Sequence, residues 1–142
     1  MDASLKRGDA TLREVKPEDL HSVWPLILEG LYKVEKHSES HWIPEDVYTA
    51  IRTGHSTLHV GYIDCVYVGF FVLTKSTAWD GSVLHIWCGY TNHPDGMELF
   101  MPKLEALAIG CRRITFWSPR KWKRRIKQYG FVEKQVEYVR EL

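Results

Sequence analysis

The sequence predicts a mixed-sheet α/β domain, with antiparallel strands first and a β-α-β crossover that returns a parallel strand to the sheet. Three observations carry this reading. Three β-rich runs follow one another between Thr57 and Thr91, separated only by short turns. Apolar residues recur at helical spacing before them (Leu20, Val23, Trp24, Ile27, Leu28, Leu31) and after them (Leu99, Phe100, Leu104, Leu107, Ala108). A short apolar strand at Ile114–Phe116 then leads into a helical stretch and a closing extended run. The predicted order is β-α-α-β-β-β-α-β-α-β.

Each element has its own local reason. Residues 1–9 are a loose polar lead-in, and Thr11–Val15 alternates as a strand. Lys16-Pro17-Glu18-Asp19 opens the first helix, with proline in the first turn and acids at its positive end. Pro25, inside the apolar stripe, is expected to kink or split that helix. Residues 33–43 read as a polar loop. Its Glu35, His37, Glu39 and His41 can be drawn as a metal site, but a solvated loop is the stronger reading, and no metal is assigned. Pro44-Glu45-Asp46 opens a second helix that ends near Gly54.

Thr57–Ile63 and Val66–Thr74 flank Asp64-Cys65, a tight hairpin; 75–81 is turn-like, and Ser82–Thr91 is another strand. Turn residues 92–96 precede a helix from about Met97 to Ile109, with Pro102 awkward in its interior. Ser118 and Pro119 start the next helix as cap and first residue, Gly130 ends it, and Val132–Leu142 is expected to close the sheet as a strand.

Composition bounds the function. The 142 residues fit one domain over 1–142, with 44% hydrophobic and 26% charged residues. The formal net charge of +1 conceals a split: residues 120–127 hold six basic side chains and no acid, so the remainder carries a net −5. A basic helix on an acidic body suits a local anion site, or simply a solvated face, more than a general nucleic-acid binder. Aromatic and basic residues do not interleave on an exposed strand, which disfavours nucleic acid further. Cys65, Cys88 and Cys111 read as buried free thiols in a reducing compartment. The polar start and the absence of a long apolar span predict a cytoplasmic protein that does not enter membranes. No Walker loop or dinucleotide glycine fingerprint is present.

The element order, together with Val23-Trp24-Pro25-Leu26, Leu58-His59-Val60, Cys88-Gly89, Gly110-Cys111, Arg120, Trp122, Arg124 and Tyr129-Gly130-Phe131, resembles the GNAT superfamily of N-acetyltransferases over nearly the whole chain. More narrowly, it is similar to a GNAT-like family found in tailed phages and prophages. The resemblance implies that the fourth and fifth strands splay apart around an acyl-CoA arm, whose pyrophosphate meets backbone amides at the following helix N-terminus. Carried onto this sequence, it gives acetyl-CoA contacts at Gly89, Tyr90, Asn92, His93 and Gly96, and at Arg120, Trp122 and Arg125. Trp122 also reads as a packing residue heading its helix's apolar stripe, leaving anion contact to the arginines.

Two positions depart from the family pattern. Glu98 stands where a small loop residue belongs, with Asp95 adding a second negative charge, and Ile126 stands where a tyrosine would serve as general acid. His85 is the titratable side chain inside the fourth strand, and is read either as general base or as a satisfied strand histidine. The resemblance thus implies an acyl-CoA-dependent N-acyltransferase with a degenerate pyrophosphate loop, acting on a small-molecule or protein amine. The alternative is a catalytically inactive binding or assembly module of a phage, with a phage protein as partner.

Overall fold

The structure is a computed structural model that describes residues 9–38, 41–117, 126–134 and 136–142. Its sheet has five strands in sequence order: β1 (Ala10–Val15), β2 (Thr57–Ile63), β3 (Val66–Ala78), β4 (Gly81–Thr91) and β5 (Arg113–Phe116). The first four are antiparallel neighbours, and β5 lies parallel to β4. Helices α1 (Leu20–Lys36) and α2 (Pro44–Arg52) lie between β1 and β2 in the chain, and α3 (Gly96–Leu107) forms the crossover from β4 to β5.

Strand alternation divides the core between two faces. Leu58 and Val60 of β2, Phe70 and Val72 of β3 and Cys88 of β4 pack with Leu20, Ile27, Leu31, Val47 and Ile51 of α1 and α2. Phe71, Leu73 and Leu84 pack instead with Phe100 and Leu104 of α3. Fully burying one such side chain contributes about 1.5–3 kcal/mol, so both layers are needed to hold the sheet between them.

Several local details differ from expectation for identifiable reasons. Helix α1 runs unbroken through Pro25 and on to Lys36, into the stretch expected as loop. Pro25 is exposed, and the carbonyl it leaves without its helical partner belongs to His21, also an exposed residue, on the side of the helix open to solvent. Strand β3 continues through 75–78 because it keeps pairing with β4 as far as Ala78 opposite Gly81; the turn shrinks to Trp79-Asp80. The Asp64-Cys65 hairpin has both residues at positive φ, 51° and 65°, as a mirror-image two-residue turn requires. That geometry leaves Cys65 exposed and Cys111 half-buried, correcting the expectation of three buried thiols; only Cys88 is fully enclosed.

The described part of the C-terminal segment corrects the expected closing strand. Residues 131–134 and 136–142 have no regular secondary structure, with Val132, Val136, Tyr138 and Val139 at least 66% exposed. These apolar residues do not keep one alternating face, since Val136 and Tyr138 share a parity that Val139 breaks. Of the helix expected before it, Ile126 and Lys127 are helical, and 118–125 lie outside the described residues. Among the described residues no helix is long and apolar enough to cross a membrane.

Candidate active site at the β4–β5 fork

Pairing between the two parallel strands ends partway along β4. Pairing with β5 covers Val83–Ile86 and stops at Phe116, whereas β4 runs five residues further to Thr91. At the same point the ladder to β3 slips. Val72 faces Cys88 and Leu73 faces Ile86, so Trp87 is the extra residue of a β-bulge. A bulge bends its strand and strengthens the local twist just where the pairing with β5 ends. Residues 87–91 therefore keep β3 on one side and present an unpaired backbone edge on the other, among the described residues.

His85 sits just before this fork. Leu84 and Ile86 belong to the α3 face, so alternation puts His85 on the opposite one, with α1 and α2. Its Nδ1 lies 2.8 Å from Thr115 Oγ1, directly across the β4–β5 register. The Trp117 ring lies 4.8 Å from the imidazole at an interplanar angle of 57°. Burial lowers the His85 pKa below the usual histidine value, which favours the neutral ring near pH 7. Trp87, two residues on, meets Trp42 edge to face at 5.9 Å.

The loop after β4 is tied to itself. Asn92 N–H donates to Val68 O at 2.8 Å, extending the ladder by one residue. His93 N–H donates to Thr91 Oγ1 (3.1 Å), Asp95 N–H to His93 Nδ1 (3.0 Å) and Gly96 N–H to His93 O (3.1 Å). Gly96 is buried so tightly that an added Cβ would come within 2.4 Å of the Thr91 side chain. The Met97 and Glu98 amides are the first-turn donors of α3 that find no partner among the described residues. Asp95 and Glu98 are exposed beside them.

The other expected contacts fall in different places. Gly89 lies on the free stretch of β4 and is exposed. Tyr90 turns its ring under α1, where Gly30 and Phe70 receive it and Lys33 Nζ stands 5.6 Å from its centre. Arg120, Trp122 and Arg125 lie outside the described residues. Tyr129 lines a hollow of about 280 Å³ with Met101, Glu105, Arg113, Ile114 and Phe131, on the α3 side of β5. Glu35 lies in the last turn of α1, Glu39 lies outside the described residues, and no group of three or more His, Cys, Asp or Glu side chains is placed to hold a metal among those described.

Thr115, Trp117 and Trp42 are site residues that the sequence does not single out. Nothing local to Thr115 announces it, because a parallel register is set by the crossover and not by a turn.

Comparison with solved structures settles the architecture. The chain aligns over 94% of its length with a "possible acetyltransferase" from Clostridium difficile 630, covering 97% of that chain at TM-score 0.68 and 10% identity. The fold is the GNAT acetyltransferase fold. The ribosomal-protein-alanine N-acetyltransferase of Brucella melitensis biovar Abortus 2308 is similar at TM-score 0.67 and 14% identity, with 94% of this chain and 99% of that one covered. An aminoglycoside acetyltransferase from an uncultured soil metagenomic sample, solved with sisomicin, is similar at TM-score 0.63 and 11% identity, with 94% and 96% covered. No protein-family model matches the sequence, and no curated protein matches it significantly.

Proposed function

We propose that this protein is an N-acyltransferase that moves an acetyl group from acetyl-CoA to a primary amine, with His85 as general base. The observation that carries this is the fork itself. A free β4 edge begins one residue after Ile86, and a half-buried imidazole held by Thr115 lies at its mouth. An exposed strand edge offers alternating N–H and C=O groups that suit the extended amide arm of an acyl donor.

A bound acyl-CoA supplies a thioester carbonyl, and the chain's own groups do the rest. With Nδ1–H donating to Thr115 Oγ1, 2.8 Å away, the lone pair of His85 stands on Nε2. Nε2 takes the proton from the acceptor ammonium. The amine nitrogen would then attack the thioester carbonyl carbon as the C–S bond breaks, and the leaving thiolate would take the second nitrogen proton, giving the amide and the free thiol. Backbone N–H groups on the free edge of β4 are the donors available to the carbonyl oxygen as charge gathers on it.

The phosphate end fits less well. Three loop amides are consumed by Thr91 and His93, and two carboxylates flank the remaining pair, Met97 and Glu98. This favours weak donor binding and supports a second reading, in which the GNAT fold is kept as a non-catalytic binding or assembly module. Acyl transfer to a mixed pool of primary amines, read as release of free thiol, separates the two. Saturable thiol release that His85→Gln abolishes supports the enzyme; no release at millimolar acetyl-CoA supports the module.

A further inference from the structure

Trp117 lies against His85, Trp87 follows His85 two residues on along β4, and Trp42 braces Trp87 from a separate part of the chain. Trp42 arrives from the loop between α1 and α2, just after His41, whose φ of 55° turns the chain sharply there. Trp87 is the bulged residue of β4, and Trp117 is the first residue beyond β5. Trp42 is 8% exposed and braces Trp87 edge-on, while Trp87 itself is half-buried. Trp117 rests one face near the His85 imidazole yet is 78% exposed, so much of its indole faces solvent.

We infer that Trp117, Trp87 and Trp42 form a recognition surface for a small aromatic primary amine, which stacks its ring on Trp117 and brings its amino group to His85. The inference rests on the proposed acyl transfer only for the chemical step after binding. Indole faces attract an ammonium through their quadrupole and accept a flat ring by offset stacking. They suit one cationic centre attached to a ring better than a polycationic amino sugar.

The test is binding without any acyl donor, followed by tryptophan fluorescence. The probes are 2-phenylethylamine, n-hexylamine (the same charge without the ring) and glucosamine, titrated into the whole chain. The aromatic amine should bind about tenfold more tightly than hexylamine, and glucosamine most weakly. Trp117→Ala should bring the first two affinities together, while Trp117→Phe retains most of the preference. Because Trp117 is mainly exposed, the melting temperature of both variants should stay near that of the parent, and circular dichroism checks it. Equal affinity for the two amines, or a preference that survives Trp117→Ala, overturns the inference even if acyl transfer occurs. Conversely, a Trp117-dependent preference with no thiol release upholds it and removes the catalytic reading instead.

Discussion

His85 and Thr115 face each other across the parallel pair β4 and β5, with Nδ1 and Oγ1 2.8 Å apart. On the proposed mechanism the threonine accepts from Nδ1–H and leaves Nε2 for chemistry. His85→Gln should lower the acyl-transfer rate by about 10²–10⁴, the usual worth of a general base. Thr115→Val should lower kcat about tenfold, shift the acidic limb of the rate profile, and be rescued by Thr115→Ser. Because burial lowers the His85 pKa, that limb in the parent should lie below pH 6.5. Rates measured from pH 5 to 8 check both statements.

Acid should loosen the fold as well. His59 is 4% exposed on β2 opposite Glu14, with Nε2 2.9 Å from Thr57 Oγ1, and burial lowers its pKa despite the neighbouring carboxylate. His85 is shifted the same way. The unfolded chain therefore binds more protons than the folded one between the lowered values and about pH 6.5, so stability rises with pH across that window. The melting temperature should fall on going from pH 7 to pH 5, by roughly 2–4 °C for each kcal/mol lost. His59→Gln should flatten part of that slope; a melting temperature independent of pH over this range would contradict the assignment of both histidines as buried and neutral.

On the proposed reading, charge at the start of α3 sets donor affinity. Glu98 lies in the first turn, where a carboxylate stabilises the helix but opposes an incoming anion. Glu98→Gln should tighten acetyl-CoA binding by about two- to fivefold at low salt and slightly lower the melting temperature, the two effects having opposite sign. Unchanged affinity would mean that the donor's phosphates do not approach this turn.

Two glycines in the sheet should respond differently to alanine. At Gly69 a Cβ would lie 2.1 Å from the Tyr90 carbonyl oxygen, a backbone atom locked in the β3–β4 ladder. At Gly61 the nearest obstacle is the Phe100 ring at 2.8 Å, a side chain that can shift. Gly69→Ala should therefore cost about 3 kcal/mol and Gly61→Ala about 1, measured by urea unfolding.

Short-range physics controls the features that are legible in the sequence. The Asp64-Cys65 hairpin, the apolar stripes of α1 and α3, and the face that His85 shares with Trp87 all follow from local spacing. Pro25 misleads because its cost depends on whether water reaches the His21 carbonyl, which only the placement of α1 decides.

The site needs longer-range information. The bulge at Trp87 leaves no local mark, since an extra residue shows only against its partner strand. The acidity of the loop is readable at Asp95 and Glu98. Its self-satisfied amides are not, because they depend on where the Thr91 hydroxyl and His93 ring point. The expectation of a closing strand rests on scattered valines, and these lack the strict alternation that burial on one face demands.

Calorimetric titration of the whole chain with acetyl-CoA at low and moderate salt tests the central claim most directly. Saturable binding is expected, weaker than a well-formed phosphate loop would give and weakening further as salt rises. No detectable heat, with an unchanged melting temperature at millimolar acetyl-CoA, would contradict the claim and leave a GNAT fold serving as a binding module.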